Sequence, residues 1–327
     1  MTETHGVLAR ARRPEQLALT LAAALLCWLV GLAIVSVFAG WHSVGDRLRP
    51  SLSVWFLLAL AAEAVSFAGY VEAYRGVARV DGGTRLPLRR AIRLVAIGFG
   101  AFLAKGGGAL DTAALSEGED DERGEVRVLA LDALEHAPLA PAACIASLSL
   151  VARGDHTQGF DFTIPWAVLV PLGGVLALWG VRHRDRFAGR GGWRGWLRRL
   201  LDGIDLLFHL ARDWRANWLA FLGATVYWAG DVACLWLCLK PLGAAPALGA
   251  IVVAHAEGYV LTRRTLPLAG AGIVEIVLSL TVCAAGAPLA DAIAGVLVYR
   301  VLNLWLPLLP ALLALRRPAV VIATARD

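Results

Sequence analysis

Residues Leu17 to Gly40 form 24 consecutive positions without one charged side chain. A helix rises ~1.5 Å per residue and needs ~20 apolar residues to cross a ~30 Å hydrocarbon core, so this run predicts a membrane span. Basic residues precede it, as in a secretory signal, but the apolar region of a signal is roughly 7 to 15 residues long. The run is therefore read as an uncleaved first span. The rest of the chain agrees: 58% of the 327 residues are hydrophobic and 17% charged, against roughly 25% charged in soluble domains.

Eight apolar stretches are candidates for spans: 17–40, 51–74, 128–151, 162–181, 216–239, 247–262, 266–286 and 289–315. Arginines gather before the first (Arg10, Arg12, Arg13), between the second and third (Arg75 to Arg93), over 182–215, and after the last (Arg316, Arg317). The positive-inside rule places all four groups in the cytoplasm. The expected fold is all-α, a polytopic transmembrane helical bundle forming a single domain over 1–327. It would lie in the cytoplasmic (inner) membrane with both termini cytoplasmic. Residues 182–215 mix arginines with Trp193, Trp196, Leu200, Leu201, Leu206 and Leu207 and predict a basic amphipathic helix on the inner leaflet. The net charge of +5 does not indicate nucleic acid, because the arginines flank apolar segments.

Topology adds a parity test. If 75–93 and 182–215 share a side, residues 94–181 must cross an even number of times. Leu94 to Ala104 is too short to cross and runs into Lys105, Gly106-Gly107-Gly108 and Asp111. It is read as a re-entrant segment that turns back at the glycines; irregular backbone at membrane depth implies a protein-lined or watery site. A cytosolic amphipathic helix is the alternative. A second break, around Arg264, Pro267, Gly270, Gly272 and Glu275, shows the same order: cation, glycines, then a carboxylate three residues after the last glycine. Interrupted apolar segments in corresponding halves point to a binding site in transporters.

Charges inside apolar segments are costly and ask for a functional or structural partner. Here they are Glu63, Asp132, Glu135, His136, Asp231, His255, Glu257, Glu275 and Arg300. A structural ion pair explains any one of them; a hydrated path explains the set. No zinc-protease helix, nucleophile elbow, phosphate loop or dinucleotide fingerprint occurs. All five cysteines lie in apolar segments without the spacing of a metal site or a disulfide framework. No cofactor, metal or catalytic set is expected, and the chain is not expected to be an enzyme.

The stretch Arg264-Thr-Leu-Pro267-Leu-Ala-Gly270-Ala-Gly272-Ile-Val-Glu275, followed by Tyr299-Arg300 and Trp305-Leu-Pro307, resembles the transmembrane family of lysylphosphatidylglycerol synthases and flippases, the membrane part of the multiple peptide resistance factors. Lys105, Gly108 and Asp111 stand where that family has a Pro-Gly-Gly turn and an acid, here without the proline; Asp132 and Glu135 follow in the next span. The resemblance implies a bundle with re-entrant helices that moves polar-headed lipids between leaflets. It does not imply synthesis, which in that family resides in a separate soluble domain.

The expected function is accordingly lipid translocation through a hydrated groove, with Lys105, Gly108, Asp111, Glu135, Arg264, Gly270, Gly272, Glu275, Arg300 and Glu63 as binding or translocation residues. Partners would be membrane lipids, either anionic or aminoacylated phospholipids or glycolipids, and a separate lipid-synthesising enzyme. The rival readings are an intramembrane lipid-modifying transferase, with Glu135, His136, His255 and Glu257 as acid and base, and a scaffold for a partner enzyme.

Overall fold

The computed structural model describes residues 14–48, 54–103, 107–116, 121–154, 159–187, 192–243, 245–260 and 267–309. They form twelve α-helices and, among the described residues, no strand. Six helices are long and apolar enough to cross a membrane. These are α1 (Pro14–Ala39), α3 (Val54–Ala78), α6 (Asp121–Ala152), α7 (Gly159–Arg182), α9 (Trp214–Leu239) and α12 (Leu289–Arg300, continuing through a π turn to Leu309). The shorter helices are α2 (Trp41–Leu48), α4 (Leu88–Leu103), α5 (Gly107–Leu115), α8 (Gly192–Arg212), α10 (Leu248–Val260) and α11 (Ile273–Ala284).

Two of the eight stretches expected to span do not. The segments at 247–262 and 266–286 become α10 and α11, of 13 and 12 residues. Neither reaches ~20 residues. They run antiparallel as one hairpin: Thr281 Oγ1 donates to the Ala254 carbonyl at 3.1 Å, and Gly258 lies against Leu278. The parity argument for 94–115 finds its geometry in Arg127. Its guanidinium donates to the Leu115 carbonyl at the end of α5 (2.8 Å) and to the Val80 carbonyl just before α4 (3.4 Å). Both ends of α4/α5 therefore lie at one face, and the pair is a re-entrant hairpin. Leu94, Val95 and Ile97 of α4 are buried in the bundle.

The chain thus repeats one plan twice with opposite sense. A span (α3), a hairpin (α4/α5) and a span (α6) are followed, after α7 and α8, by a span (α9), a hairpin (α10/α11) and a span (α12). The first hairpin opens to the arginine-rich face and the second to the opposite face, where Arg47 of α2 pairs with Asp291 of α12 at 3.1 Å. The corresponding spans α3 and α9 pack antiparallel through small residues. A Cβ on Gly69 would come within 2.6 Å of the Gly223 carbonyl oxygen, and one on Gly230 within 2.7 Å of the Ala62 carbonyl oxygen. In lipid, where apolar surface gains little from association, such backbone proximity is what holds helices together.

At the arginine-rich face α8 lies along α6, burying Leu201, Gly203 and Leu210 and exposing Trp193 and Trp196. Arg199 pairs with Glu125 at 3.0 Å, and His209 Nδ1 lies 3.1 Å from Asp81 Oδ2. The three arginine-bearing or acidic stretches at 75–93, 121–127 and 192–215 meet on this face.

Candidate functional site

A cluster of buried polar residues forms between α3, α9, α10, α11 and α12. Glu275 stands three residues after Gly272, whose φ of +89° suits glycine. One carboxylate oxygen of Glu275 accepts the Gly272 N–H at 2.6 Å, closing the start of α11. The other accepts Arg300 Nε at 2.6 Å. Both residues are buried, so the pair is desolvated. It is tolerable because each oxygen of the carboxylate has a donor.

Immediately after Arg300 the helix widens into a π turn over Val301–Trp305, a departure often found at functional sites. Asn303 lies inside it. Its amide nitrogen donates to Glu63 Oε1 (3.3 Å) and to Asp231 Oδ1 (2.9 Å), while its oxygen accepts from Arg300 Nη1 (3.4 Å). The Tyr299 hydroxyl donates to the same Asp231 oxygen at 2.9 Å. His255 Nε2 lies 3.2 Å from Asp231 Oδ2 and 3.3 Å from the Tyr299 hydroxyl oxygen. One continuous hydrogen-bond network therefore runs from Glu275 through Arg300 and Asn303 to Glu63, Asp231, Tyr299 and His255.

This network borders a groove of about 480 Å³. Leu60, Phe67, Ala96, Leu302, Leu306 and Leu309 make its walls mostly apolar, and Glu63, Ser66, Tyr227 and Asn303 supply its polar groups. Leu306 and Leu309 are exposed at the rim. An apolar trough with a few polar groups leading into buried charges suits an amphiphile.

Of the expected site residues, the structure joins Glu63, Glu275 and Arg300 in this network, with Gly272 capping Glu275. Gly270, with φ +70°, ends the turn before them. Asp111 lies elsewhere in the bundle, buried on α5 and accepting from the Tyr74 hydroxyl at 3.3 Å; Gly108 is in the first turn of the same helix. Glu135 is buried on α6, where its backbone carbonyl accepts the Trp228 indole N–H. Trp228 in turn packs edge-on against His255, with ring centroids 5.7 Å apart. Lys105 and Arg264 lie outside the described residues.

The sequence did not single out Asn303 or tie Asp231 and His255 to Arg300. The available signal was Tyr299-Arg300 with Asn303 one turn on, three polar groups inside an apolar span.

Residues 16–311 match the profile of the lysylphosphatidylglycerol synthase TM region. The chain belongs to that family. The match covers both hairpins and the whole network. It places the protein among membrane proteins of lipid metabolism or transport. A search of curated proteins returns no match.

Proposed function

We propose that this protein is a lipid translocase that carries a polar-headed lipid between leaflets along the α3/α12 groove. The observation that carries the reading is the groove's composition: apolar walls for acyl chains, with Glu63 and Asn303 presenting a polar edge that leads to Arg300 and Glu275. Both Glu63 and Arg300 lie well inside their spans, so a head group held there is away from both faces. The two hairpins open to opposite faces, the arrangement that alternating access uses.

In this reading the protein sits in the cytoplasmic membrane with the arginine-rich face inward, by the positive-inside rule. Glu63 favours a head group carrying an amine, and Arg300, released from Glu275, favours its phosphate. Asp111 and Glu135 act as second positions along the path, together with Lys105 and Arg264. A separate enzyme supplies the lipid.

The test is leaflet exchange in proteoliposomes with fluorescent phospholipids of anionic, neutral and net-positive head groups. Wild type is expected to speed exchange of at least one class by tenfold or more over protein-free vesicles, and Glu63→Gln and Arg300→Gln to remove most of that gain. Exchange no faster than in empty vesicles for every class, with monodisperse protein, would overturn the reading.

A further inference from the structure

The α3/α9 pair carries a second hollow, at the arginine-rich face and apart from the groove. Its volume is about 580 Å³, within the roughly 300 to 1,000 Å³ of small-molecule sites. The last two turns of α3, the turn that follows, the end of α8 and the first turns of α9 wall it. It shares no lining residue with the groove.

Three arginines face this hollow, and they differ in how their charge is used. Arg75 donates to Glu72 at 2.6 Å, which neutralises it, and through Nε to the Leu86 carbonyl at 3.1 Å. Arg79 reaches across to α9, where Nη2 donates to the Ala216 carbonyl and to Asn217 Oδ1 (3.4 Å). Both acceptors are uncharged, so the guanidinium is oriented while its charge stays unmatched. Arg85 has no hydrogen-bond or ion-pair partner among the described residues. Of the acids, Glu72 is taken by Arg75, and Asp81 Oδ2 lies 3.1 Å from His209 Nδ1. Asp213 stands exposed where α9 begins and makes no side-chain capping bond. What remains is Arg79 and Arg85 against Asp213, a positive balance.

Arginines that only set topology need do no more than reach water. Arg79 instead ties α3 to α9 with its charge left over, which makes it a donor already ordered for an oxyanion. The guanidinium fork matches phosphate oxygens, and such charge-assisted bonds are among the strong ones. Leu86, Leu219 and Ala220 keep part of the wall apolar. A Cβ on Gly76 would overlap Ala220, so α3 and α9 meet behind the hollow and back it.

We propose that this hollow binds a phosphate ester, with Arg79 and Arg85 on the phosphate and the organic part of the ester against the apolar wall. Two sources offer that chemistry: the head group of an anionic phospholipid in the adjoining leaflet, and a soluble phosphate ester. The site does not depend on the translocase reading, because it lies at the other end of α3 from the groove residues and its test measures binding alone.

The experiment uses the full chain in two arms. In detergent, the protein is titrated with glycerol 3-phosphate by calorimetry. In phosphatidylcholine nanodiscs, spin-labelled phosphatidylglycerol is compared with spin-labelled phosphatidylcholine, whose ammonium opposes the arginines, and the immobilised fraction reports lipid held by the protein. Saturable binding is expected in at least one arm. Arg85→Gln, which removes no contact within the fold, should weaken it by about tenfold, the loss of one charge-assisted hydrogen bond. Asp213→Asn should tighten it, and Arg194→Gln, at an exposed position of α8 outside the hollow, should leave it unchanged. Saturation by glycerol 3-phosphate with these responses upholds the site and assigns the soluble source; selective retention of phosphatidylglycerol alone, with the same responses, upholds it and assigns the lipid. Binding in neither arm, or binding that Arg85→Gln leaves unchanged or that Arg194→Gln weakens equally, overturns the site.

Discussion

Gly31 of α1 lies against Gly272, the residue that starts the second arm of the α10/α11 hairpin, so closely that a Cβ on Gly31 would overlap the Gly272 backbone and one on Gly272 would overlap the Cys27 carbonyl. The first span is thereby locked to the turn that positions Glu275. Gly31→Ala should lower stability by about 1 to 3 kcal/mol, the usual result of overpacking a close contact. Gly272→Ala should cost more, because it adds an unfavourable left-handed φ to the clash. Thermal unfolding in detergent, followed by size-exclusion chromatography, reads both. Wild-type midpoints for the two variants would show that α1 does not pack there.

The Arg300–Glu275 pair is open to a double-mutant test. Removing one member of a buried pair strands the other charge and typically costs ~3 to 5 kcal/mol. Arg300→Gln and Glu275→Gln should each be strongly destabilised. The double substitution should fall short of the sum of the two losses, since no charge is left alone. Strict additivity would mean that the two side chains do not meet in the folded protein.

How much of this could be read in the sequence differs from residue to residue. The uncharged run at 17–40, the parity of crossings and the cation–glycine–acid order at 105–111 and 264–275 all follow from composition and spacing. Those signals led to α1, to a hairpin at 94–115 and to the Gly272–Glu275 turn. The apolar stretches at 247–262 and 266–286 passed for spans because hydropathy does not register a turn; only helix length in the fold shows two 13- and 12-residue arms. Asn303 was illegible for a different reason. Its role depends on partners far apart in the chain, Glu63 of α3 and Asp231 of α9, which helical spacing around Arg300 does not disclose. Nor does spacing disclose that Gly69 and Gly223 meet, since their contact joins residues far apart in the chain.

Arg127 closes the first hairpin by donating to the Leu115 and Val80 carbonyls. With this buried side chain removed, the two acceptors lose a charged donor, at a cost of about 1 to 3 kcal/mol. Arg127→Ala should therefore loosen α5 selectively. Hydrogen exchange should rise in the amides of 107–115 while those of α9 keep their protection. A uniform rise across the molecule would point to global destabilisation instead, and no change would remove Arg127 from this role.

On the arginine-rich face, Asp202 of α8 is held above the usual carboxylate range, chiefly by desolvation, with Arg198 and Arg184 opposing the shift. An acid whose pKa is raised on folding binds its proton more tightly in the folded state than in the unfolded chain. Its contribution to stability is therefore present below the ordinary carboxylate pKa and is lost as pH rises through the raised value. At neutral pH the ionised side chain is a net burden that Asp202→Asn removes. The variant should melt at or slightly above the wild-type temperature near pH 7, and the difference should close on acidification to about pH 4. A variant clearly less stable than wild type at neutral pH would show that the ion pairs of Asp202 with Arg184 and Arg198, both at 3.8 Å, outweigh its desolvation.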